Sequence, residues 1–220
     1  MKYLKLIIGT FILLMMTACG LSPFEEDNNL IKPEQTGLQE ASTLFFPDED
    51  NKIFTFETND TKYTGVNGYT LWTVPNVNTE ENFIPISVKI TKESGRTEAG
   101  FGLVFCEQNI NDKPFLLTVM INSNGLFSIG KVYDGVFSHI NNGWIKSEVI
   151  YRGLGISNTL TIDFDENSKS FLVGINGYEV SKFTVNENLV FKNSKSGFVV
   201  VIANNENFPG KPVKVSFENN

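Results

Sequence analysis

The sequence is poor in the side chains that carry most metal and nucleophilic chemistry. It contains one histidine, His139, and two cysteines, Cys19 and Cys106. Cys19 has a different predicted role, in the N-terminal segment. His139 and Cys106 alone cannot supply the soft ligands of a zinc site. His139 lies in a short strand pattern and is predicted to be a surface or rim residue, not a catalytic base. Cys106 lies in an apolar strand pattern without a basic neighbour, so we predict a buried, unreactive thiol.

Positive charge is also scarce. The chain has 18 basic and 25 acidic residues and a net charge of −7, which becomes −9 if residues 1–18, with Lys2 and Lys5, are removed. Binding of nucleic acid and electrostatic attachment to anionic lipid both require a basic surface. Neither kind of partner is therefore predicted.

The sequence has no apolar run of the length that crosses a membrane. The run over residues 6–16 spans 11 residues, whereas a transmembrane helix needs about 20. Because it follows Lys2 and Lys5, it fits the apolar region of a signal peptide. It ends in Met16-Thr17-Ala18-Cys19, which resembles the lipobox of bacterial lipoproteins, with methionine in place of the usual leucine. The resemblance implies cleavage before Cys19, acyl chains such as palmitate on that cysteine, and a membrane anchor.

The predicted organisation has three parts. Residues 1–18 form the signal peptide, and residues 19–42 form the lipidated cysteine with a polar, flexible tether of few apolar residues. Residues 43–220 have the length of one folded domain. The residue after the cysteine is Gly20. By resemblance to the sorting rule of enteric bacteria, the lack of aspartate there implies the outer membrane or cell surface.

Helical spacing is absent from residues 43–220, where period-2 runs rich in Val, Ile, Phe, Thr and Tyr dominate. Asn-Gly and Asp-Gly pairs supply the positive φ that two-residue turns require. They predict antiparallel hairpins over 115–133, 126–140 and 170–183. Short strands joined by tight turns indicate an all-β sandwich or barrel. About twelve strands are predicted, over 53–58, 69–74, 84–91, 100–107, 115–121, 126–133, 136–140, 159–164, 170–175, 178–183, 197–203 and 213–217.

Segments of residues 80–218 resemble the concanavalin A-like jelly roll, in its laminin-G-like and glucanase-like branch. In chain order they include a Gly-Phe-Gly-Leu-Val-Phe strand over 100–105, the strand over 126–131 and a hairpin around Asn176-Gly177. The resemblance implies a two-sheet antiparallel jelly-roll sandwich. One sheet of such a sandwich is usually concave, and many relatives bind or cleave polysaccharide on that face.

The carboxylates of a glycoside hydrolase are missing. Retaining glucanases of this fold use a Glu-x-Asp-x-x-Glu strand, and the two reacting carboxyl groups of such enzymes lie about 5.5 Å apart. That spacing does not occur here, and we expect no enzymatic activity. The nearest cluster, Asp163, Asp165 and Glu166, precedes turn formers and is read as a solvated strand end. Laminin-G-like relatives often hold calcium, for which Asp163 and Asp165 are weak candidate ligands; no other cofactor is expected.

Sugar binding uses a few aromatic and polar side chains that converge on one surface. Trp144, which follows an Asn-Gly turn, is the first candidate ligand contact, and Tyr133 and Tyr151 are the others. The alternative for Trp144 is packing over a sheet edge. Trp72 shares a strand face with a threonine and a valine and is predicted to lie in the core.

Three functions remain open at this point. The favoured one is an envelope lipoprotein whose non-catalytic domain binds a glycan or a host or envelope protein, which is a conclusion by analogy with the fold. The second is a structural or antigenic envelope lipoprotein without a small ligand. The least favoured is a glycoside hydrolase-like enzyme, which would need two carboxylates facing each other on the concave sheet.

Overall fold

The computed structural model describes residues 37–219, and within them the chain is almost entirely β-structure. Fifteen strands are present, with two short 3-10 turns and no α-helix in this part of the chain. Their bounds are β1 (Gly37–Glu40), β2 (Phe45–Pro47), β3 (Ile53–Thr58), β4 (Tyr69–Val77), β5 (Ile86–Ser94), β6 (Phe101–Ile110), β7 (Lys113–Ile121), β8 (Leu126–Tyr133), β9 (Val136–His139), β10 (Ile145–Lys146), β11 (Ser157–Asp165), β12 (Ser170–Ile175), β13 (Tyr178–Phe183), β14 (Lys195–Ile202) and β15 (Val213–Asn219).

The strands form two sheets. The eight-stranded sheet has the order β1-β4-β14-β6-β7-β8-β10, with β9 also paired to β8, and the seven-stranded sheet has the order β13-β12-β11-β5-β15-β3-β2. All pairings are antiparallel except β1 with β4. Strands distant in sequence, such as β14 between β4 and β6, lie side by side. The prediction of a two-sheet jelly-roll sandwich is therefore confirmed.

All twelve predicted strands are present, four of them with the predicted bounds, over 53–58, 126–133, 170–175 and 178–183. The three additional strands, β1, β2 and β10, have only two to four residues each. Two or three residues are too few to display a period-2 pattern. The three predicted hairpins are also confirmed, as β7-β8, β8-β9 and β12-β13.

The main hydrophobic core fills the space between the two sheets, where alternate residues of each strand point inward. Phenylalanine rings bridge the gap. Phe198 of β14 stacks on Phe217 of β15 with ring centroids 4.6 Å apart. Phe105 of β6 meets Phe171 of β12 at 5.4 Å. Cys106 is buried, and burial raises the pKa of its thiol, as the prediction of an unreactive thiol requires.

Residues 37–41, which the sequence prediction assigned to the tether, pack against the sandwich. Gly37–Glu40 pairs in parallel with β4, from Gly37 opposite Tyr69 to Glu40 opposite Trp72. Ala41 is buried in the main core. Hydrogen bonding to β4 thus makes a strand of a polar stretch whose sequence shows little strand pattern. The predicted signal peptide, Cys19 and residues 20–36 of the tether lie outside the described residues. None of the helical turns in residues 37–219 has the length and apolarity needed to span a membrane.

Candidate functional site

The outer face of the eight-stranded sheet carries a second apolar cluster, separate from the core between the sheets. The cross-strand register places Trp72, Val199, Gly102, Met120 and Ser128 in one row across β4, β14, β6, β7 and β8. Two tryptophans pack against the buried residues of this cluster and are themselves partly exposed. We call this surface the tryptophan face; its buried apolar residues are Val104, Leu116, Met120, Val132, Phe137, Val199 and Val201.

Trp144 lies over the sheet next to Gly100. A Cβ atom added to Gly100 would come within 2.7 Å of Cη2 of the Trp144 ring, and Sδ of Met120 would lie 3.4 Å from that Cβ. Glycine at position 100 therefore leaves the space that the indole occupies. The sequence predicted Trp144 as a ligand contact or as a residue that packs over a sheet edge; the structure places it partly exposed, over Gly100 next to the central strand β6.

Trp72 is the functional candidate that sequence reasoning placed wrongly. Its strand face was predicted to be the core, but Tyr69 and Leu71 point into the main core while Trp72 and Val74 belong to the outer cluster. Because β4 is apolar on both faces, alternation alone could not show which face is outside. Neighbouring strands lie about 4.8 Å apart, so Trp72 and Met120, three strands along the row, are separated by about 14 Å. Both indoles pack against the same outer cluster.

Three polar groups on the tryptophan face have no hydrogen-bond partner among the described residues. They are the indole N–H groups of Trp72 and Trp144 and the hydroxyl of Thr118, which is 2% exposed. Buried tryptophan N–H and hydroxyl groups ordinarily find a partner, because leaving one unmade costs free energy. The three atoms are themselves buried, so the exposed parts of this face are the indole rings and not these polar groups.

His139 also lies on this face, opposite Gly130 at the sheet margin. Its Nδ1 is 2.9 Å from Oγ of Ser128, and its ring meets Phe137 edge-on at 5.0 Å. Ser128 is fully buried and cannot reach a substrate as a nucleophile. The pair therefore has a packing role in which the imidazole covers the margin of the apolar cluster.

Carboxylates are rare on the four central strands of this sheet, β14, β6, β7 and β8. Among them only β6 carries one, Glu107. It follows the bulge at Cys106, where φ is 53°, and its Oε2 is 3.6 Å from Nζ of Lys195. The Glu107 side chain is partly buried and paired with Lys195. One carboxylate held by a lysine does not form the acid and base pair of a glycosidase.

Tyr133 lies in a different place, a cleft of about 570 Å³ at one end of the sandwich. We call it the end cleft. The β6-β7 hairpin forms one wall, Tyr133 closes the end of β8, and the loop before β14 forms the other wall. The lining residues are Gln108, Asn109, Ile110, Asn111, Tyr133, Asn186, Glu187, Asn188 and Val190. Neither Trp144 nor Tyr151 lines this cleft, so the three predicted aromatic contacts do not form one site.

Tyr151 is 58% exposed on the loop between β10 and β11. Asn158 of β11 holds the backbone of Tyr151 on both sides: its Oδ1 accepts from the Tyr151 N–H at 2.8 Å, and its Nδ2 donates to the Tyr151 carbonyl at 2.9 Å. The ring is thus presented from a braced loop, away from the end cleft.

Asp165 is engaged within the chain. Its Oδ2 accepts from Oγ of Ser168 at 2.6 Å and from Nζ of Lys182 at 3.1 Å. These hydrogen bonds hold the pKa of Asp165 well below its usual range. Oδ1 of Asp163 accepts from the Phe164 N–H. Residues 37–219 contain no group of three or more His, Cys, Asp or Glu side chains arranged to hold a metal ion.

The sequence matches no family model and no curated protein. Solved structures with similar folds include the carbohydrate binding module CBM66 from Bacillus subtilis, 13% identical, with a TM-score of 0.50 over 80% of this chain and 88% of that one.

Two further structures are enzymes by name. A native glycosidic hydrolase is 10% identical, with a TM-score of 0.54 over 87% of this chain and 85% of that one. A Bacteroides ovatus GH16 protein, from a mixed linkage glucan locus and in complex with a G4G4G3G product, is 12% identical, with a TM-score of 0.53 over 84% and 87%. At these identities the likeness concerns the fold alone. The chain has the jelly-roll sandwich fold found in carbohydrate-binding modules and GH16 glycoside hydrolases.

Proposed function

We propose that this protein is a non-catalytic glycan-binding module, presented on the bacterial envelope by lipid on Cys19. The observation that carries the proposal is the pair of partly exposed indoles on the tryptophan face, each with a buried N–H that has no partner in residues 37–219. An indole face packs against the apolar face of a sugar ring while its N–H donates to a hydroxyl.

The absence of catalytic activity is part of the proposal. Glycoside hydrolysis by the common route needs two carboxyl groups across the scissile bond. The central strands of the eight-stranded sheet carry the single carboxylate Glu107, and Lys195 lies beside it. A glycan on the tryptophan face would therefore meet apolar and hydrogen-bonding groups without an acid and base pair. The names of the similar folds, which include a binding module and hydrolases, are compatible with either outcome.

A glycan-array screen tests this function. The full chain, purified in detergent, is applied with and without calcium, together with the variants Trp144→Ala and Trp72→Ala. We expect binding to a glycan, and about tenfold or greater loss in each variant, because stacking and a hydrogen bond are removed together. The matched control is Tyr178→Ala, which removes an exposed aromatic from the other sheet.

The conservative variant Trp144→Phe separates stacking from hydrogen bonding, since it keeps a ring and removes the N–H. An intermediate loss is expected. Absence of binding to every glycan by a folded wild-type chain would reject the proposal and favour a structural or antigenic envelope role. Release of reducing ends from a bound glycan would instead show that the domain is an enzyme. Glycan binding that requires calcium would instead support a bound calcium ion, for which Asp163 and Asp165 are the candidate ligands.

The anchor is tested separately. In bacteria supplied with labelled palmitate, we expect the wild-type chain to incorporate label and to fractionate with the outer membrane, while Cys19→Ala loses both properties. Cys106→Ala is the matched control, because Cys106 is the only other cysteine and is buried. Label that persists in Cys19→Ala would contradict lipidation at that residue.

A further inference from the structure

We propose that the end cleft is a second ligand site, which binds one neutral, hydroxyl-rich ring such as a sugar residue, independently of the tryptophan face. Its volume of about 570 Å³ falls within the range of small-molecule sites. The two walls come from segments distant in the sequence, the β6-β7 hairpin and the loop before β14. The site therefore exists only in the folded domain.

The charges around the cleft select a neutral ligand. The lining residues include one acid, Glu187, and no lysine or arginine. Nζ of Lys131 lies 2.5 Å from Oε1 of Glu187, and Nζ of Lys113, above the Tyr133 ring, lies 2.6 Å from Oδ2 of Asp134, so both of these cations are already paired with carboxylates. An anionic sugar would find no free counter-charge, and a cationic one would have to compete with Lys131 for the same carboxylate.

The hydrogen-bonding groups of the cleft fit hydroxyls. Oε2 of Glu187 is buried and has no hydrogen-bond partner in residues 37–219. The side-chain amides of four lining asparagines likewise make no hydrogen bond within these residues: Asn109, Asn111, Asn186 and Asn188. A carboxylate oxygen accepts from a hydroxyl, and an amide both donates and accepts. Adjacent hydroxyls of a sugar ring offer the complementary pattern.

The walls of the cleft are held in place by contacts that leave these groups free. Gln108 uses both ends of its amide internally: Oε1 accepts from the Val190 N–H at 3.1 Å, and Nε2 donates to the Cys106 carbonyl at 3.3 Å. The hairpin turn has positive φ at Asn111 and Asp112, as in a tight two-residue turn. Gln108 thus ties the hairpin to the opposite loop, which reduces the ordering cost of binding.

Tyr133 contributes its hydroxyl group to the cleft more than a ring face on which a sugar could stack. Nζ of Lys113 lies 5.8 Å from the centre of its ring, and Phe115 meets the ring edge-on at 6.5 Å. Since part of the ring is covered, polar contacts must supply most of the affinity. The phenolic hydroxyl adds a donor and an acceptor.

The test is NMR titration of the full, isotopically labelled chain in detergent with glucose, galactose, fructose and N-acetylglucosamine. We expect at least one of these sugars to shift the side-chain NH2 signals of Asn109, Asn111, Asn186 and Asn188. Glucose 6-sulfate and glucosamine, as charged probes, should bind more weakly than glucose. No shift in these amide signals with any neutral sugar up to about 100 mM would overturn the proposal.

Variants locate the site. Glu187→Gln should weaken binding in the cleft by about tenfold, because a charged acceptor is lost. Glu166→Gln is the matched control, an exposed glutamate paired with Lys169 at 2.6 Å outside the cleft. Asn188→Ala removes an exposed amide without an internal bond, so it tests the site even if Glu187→Gln unfolds. Equal binding in Asn188→Ala and wild type would count against the site.

The sites proposed on the tryptophan face and in the end cleft can be rejected independently of each other. Trp144→Ala should leave the shifts in the end cleft unchanged. Shifts confined to the tryptophan face would overturn the second site and leave the first intact. Shifts confined to the end cleft would support the second site and remove the first.

Discussion

Phe198→Ala is expected to lower the free energy of unfolding by about 4 kcal/mol, within the range for truncating a buried phenylalanine. Phe198 is 1% exposed and contacts two strands of the opposite sheet, with ring centroids 4.6 Å from Phe217 and 5.1 Å from Phe54. The deletion removes ring contacts across the gap and leaves a cavity that the paired backbones of β4, β14 and β6 prevent from closing. Urea unfolding followed by fluorescence measures the effect.

The matched control is Phe46→Ala, which truncates the same type of side chain at a position that is 55% exposed on β2. A change of about 0.5 kcal/mol or less is expected there. A loss below about 1 kcal/mol in Phe198→Ala, with an unchanged dependence on urea, would mean that the two sheets are not held together by these rings.

The second large effect concerns Lys92, whose buried ammonium is expected to make stability depend on pH. Lys92 is fully buried, and its Nζ donates to the carbonyls of Arg96 and Ala99 at 2.7 and 3.0 Å. Desolvation lowers its pKa to about 8 from 10.5, although the charges of Glu206 and Glu98 oppose the shift. Between these pH values the unfolded chain binds a proton that the folded chain has lost.

The contribution of Lys92 to the free energy of unfolding must therefore rise with pH between about 8 and 10.5, because the unfolded state binds more protons in that range. It is fully present only above pH 10.5 and is lost as the pH falls through the folded pKa of about 8. Each unit of pKa shift corresponds to about 1.4 kcal/mol. Relative to Lys92→Met, the wild-type protein should gain about 2 kcal/mol between pH 8 and pH 10.

The measurement compares urea unfolding of wild type and Lys92→Met across this pH range, so that groups common to both proteins cancel. Lys89→Met, which removes an exposed lysine of the same strand paired with Glu218 at 2.7 Å, is the control. Its curve should run parallel to that of wild type. If the wild-type and Lys92→Met curves are parallel too, Lys92 does not titrate as its burial requires.

Much of the sandwich could be predicted because its strands alternate and its turns have a fixed chemistry. The Asn176-Gly177 turn, for example, marks the β12-β13 hairpin by its positive φ at both residues. The alternation of apolar and polar residues could not identify the inward face of a strand where both faces are apolar. Trp72 was assigned to the core for this reason, since β4 faces the main core on one side and the outer cluster on the other.

The candidate sites were harder to predict than the fold. Trp144 and Tyr133 could be identified as aromatic residues near turns, but their separation into two places depends on the sheet order. Glu187 carries no motif, and it meets Gln108 in the end cleft only because β14 inserts next to β6. Contacts between segments that lie about 80 residues apart leave no local pattern in a single sequence.

The outermost strands of both sheets affect whether copies of the protein aggregate through their sheet edges when they are crowded together. In the described part of the chain, the margins of the eight-stranded sheet are β1, β9 and β10, none longer than four residues. The seven-stranded sheet ends at β2, which has three residues and finishes in Pro47, and at β13, which carries Glu179 and Lys182. Short, proline-ended or charged edges discourage strand addition by a neighbour. Under the proposed lipid anchor, dense two-dimensional arrays would form without edge-to-edge aggregation, and the proposed sugar sites of many copies would act together through avidity.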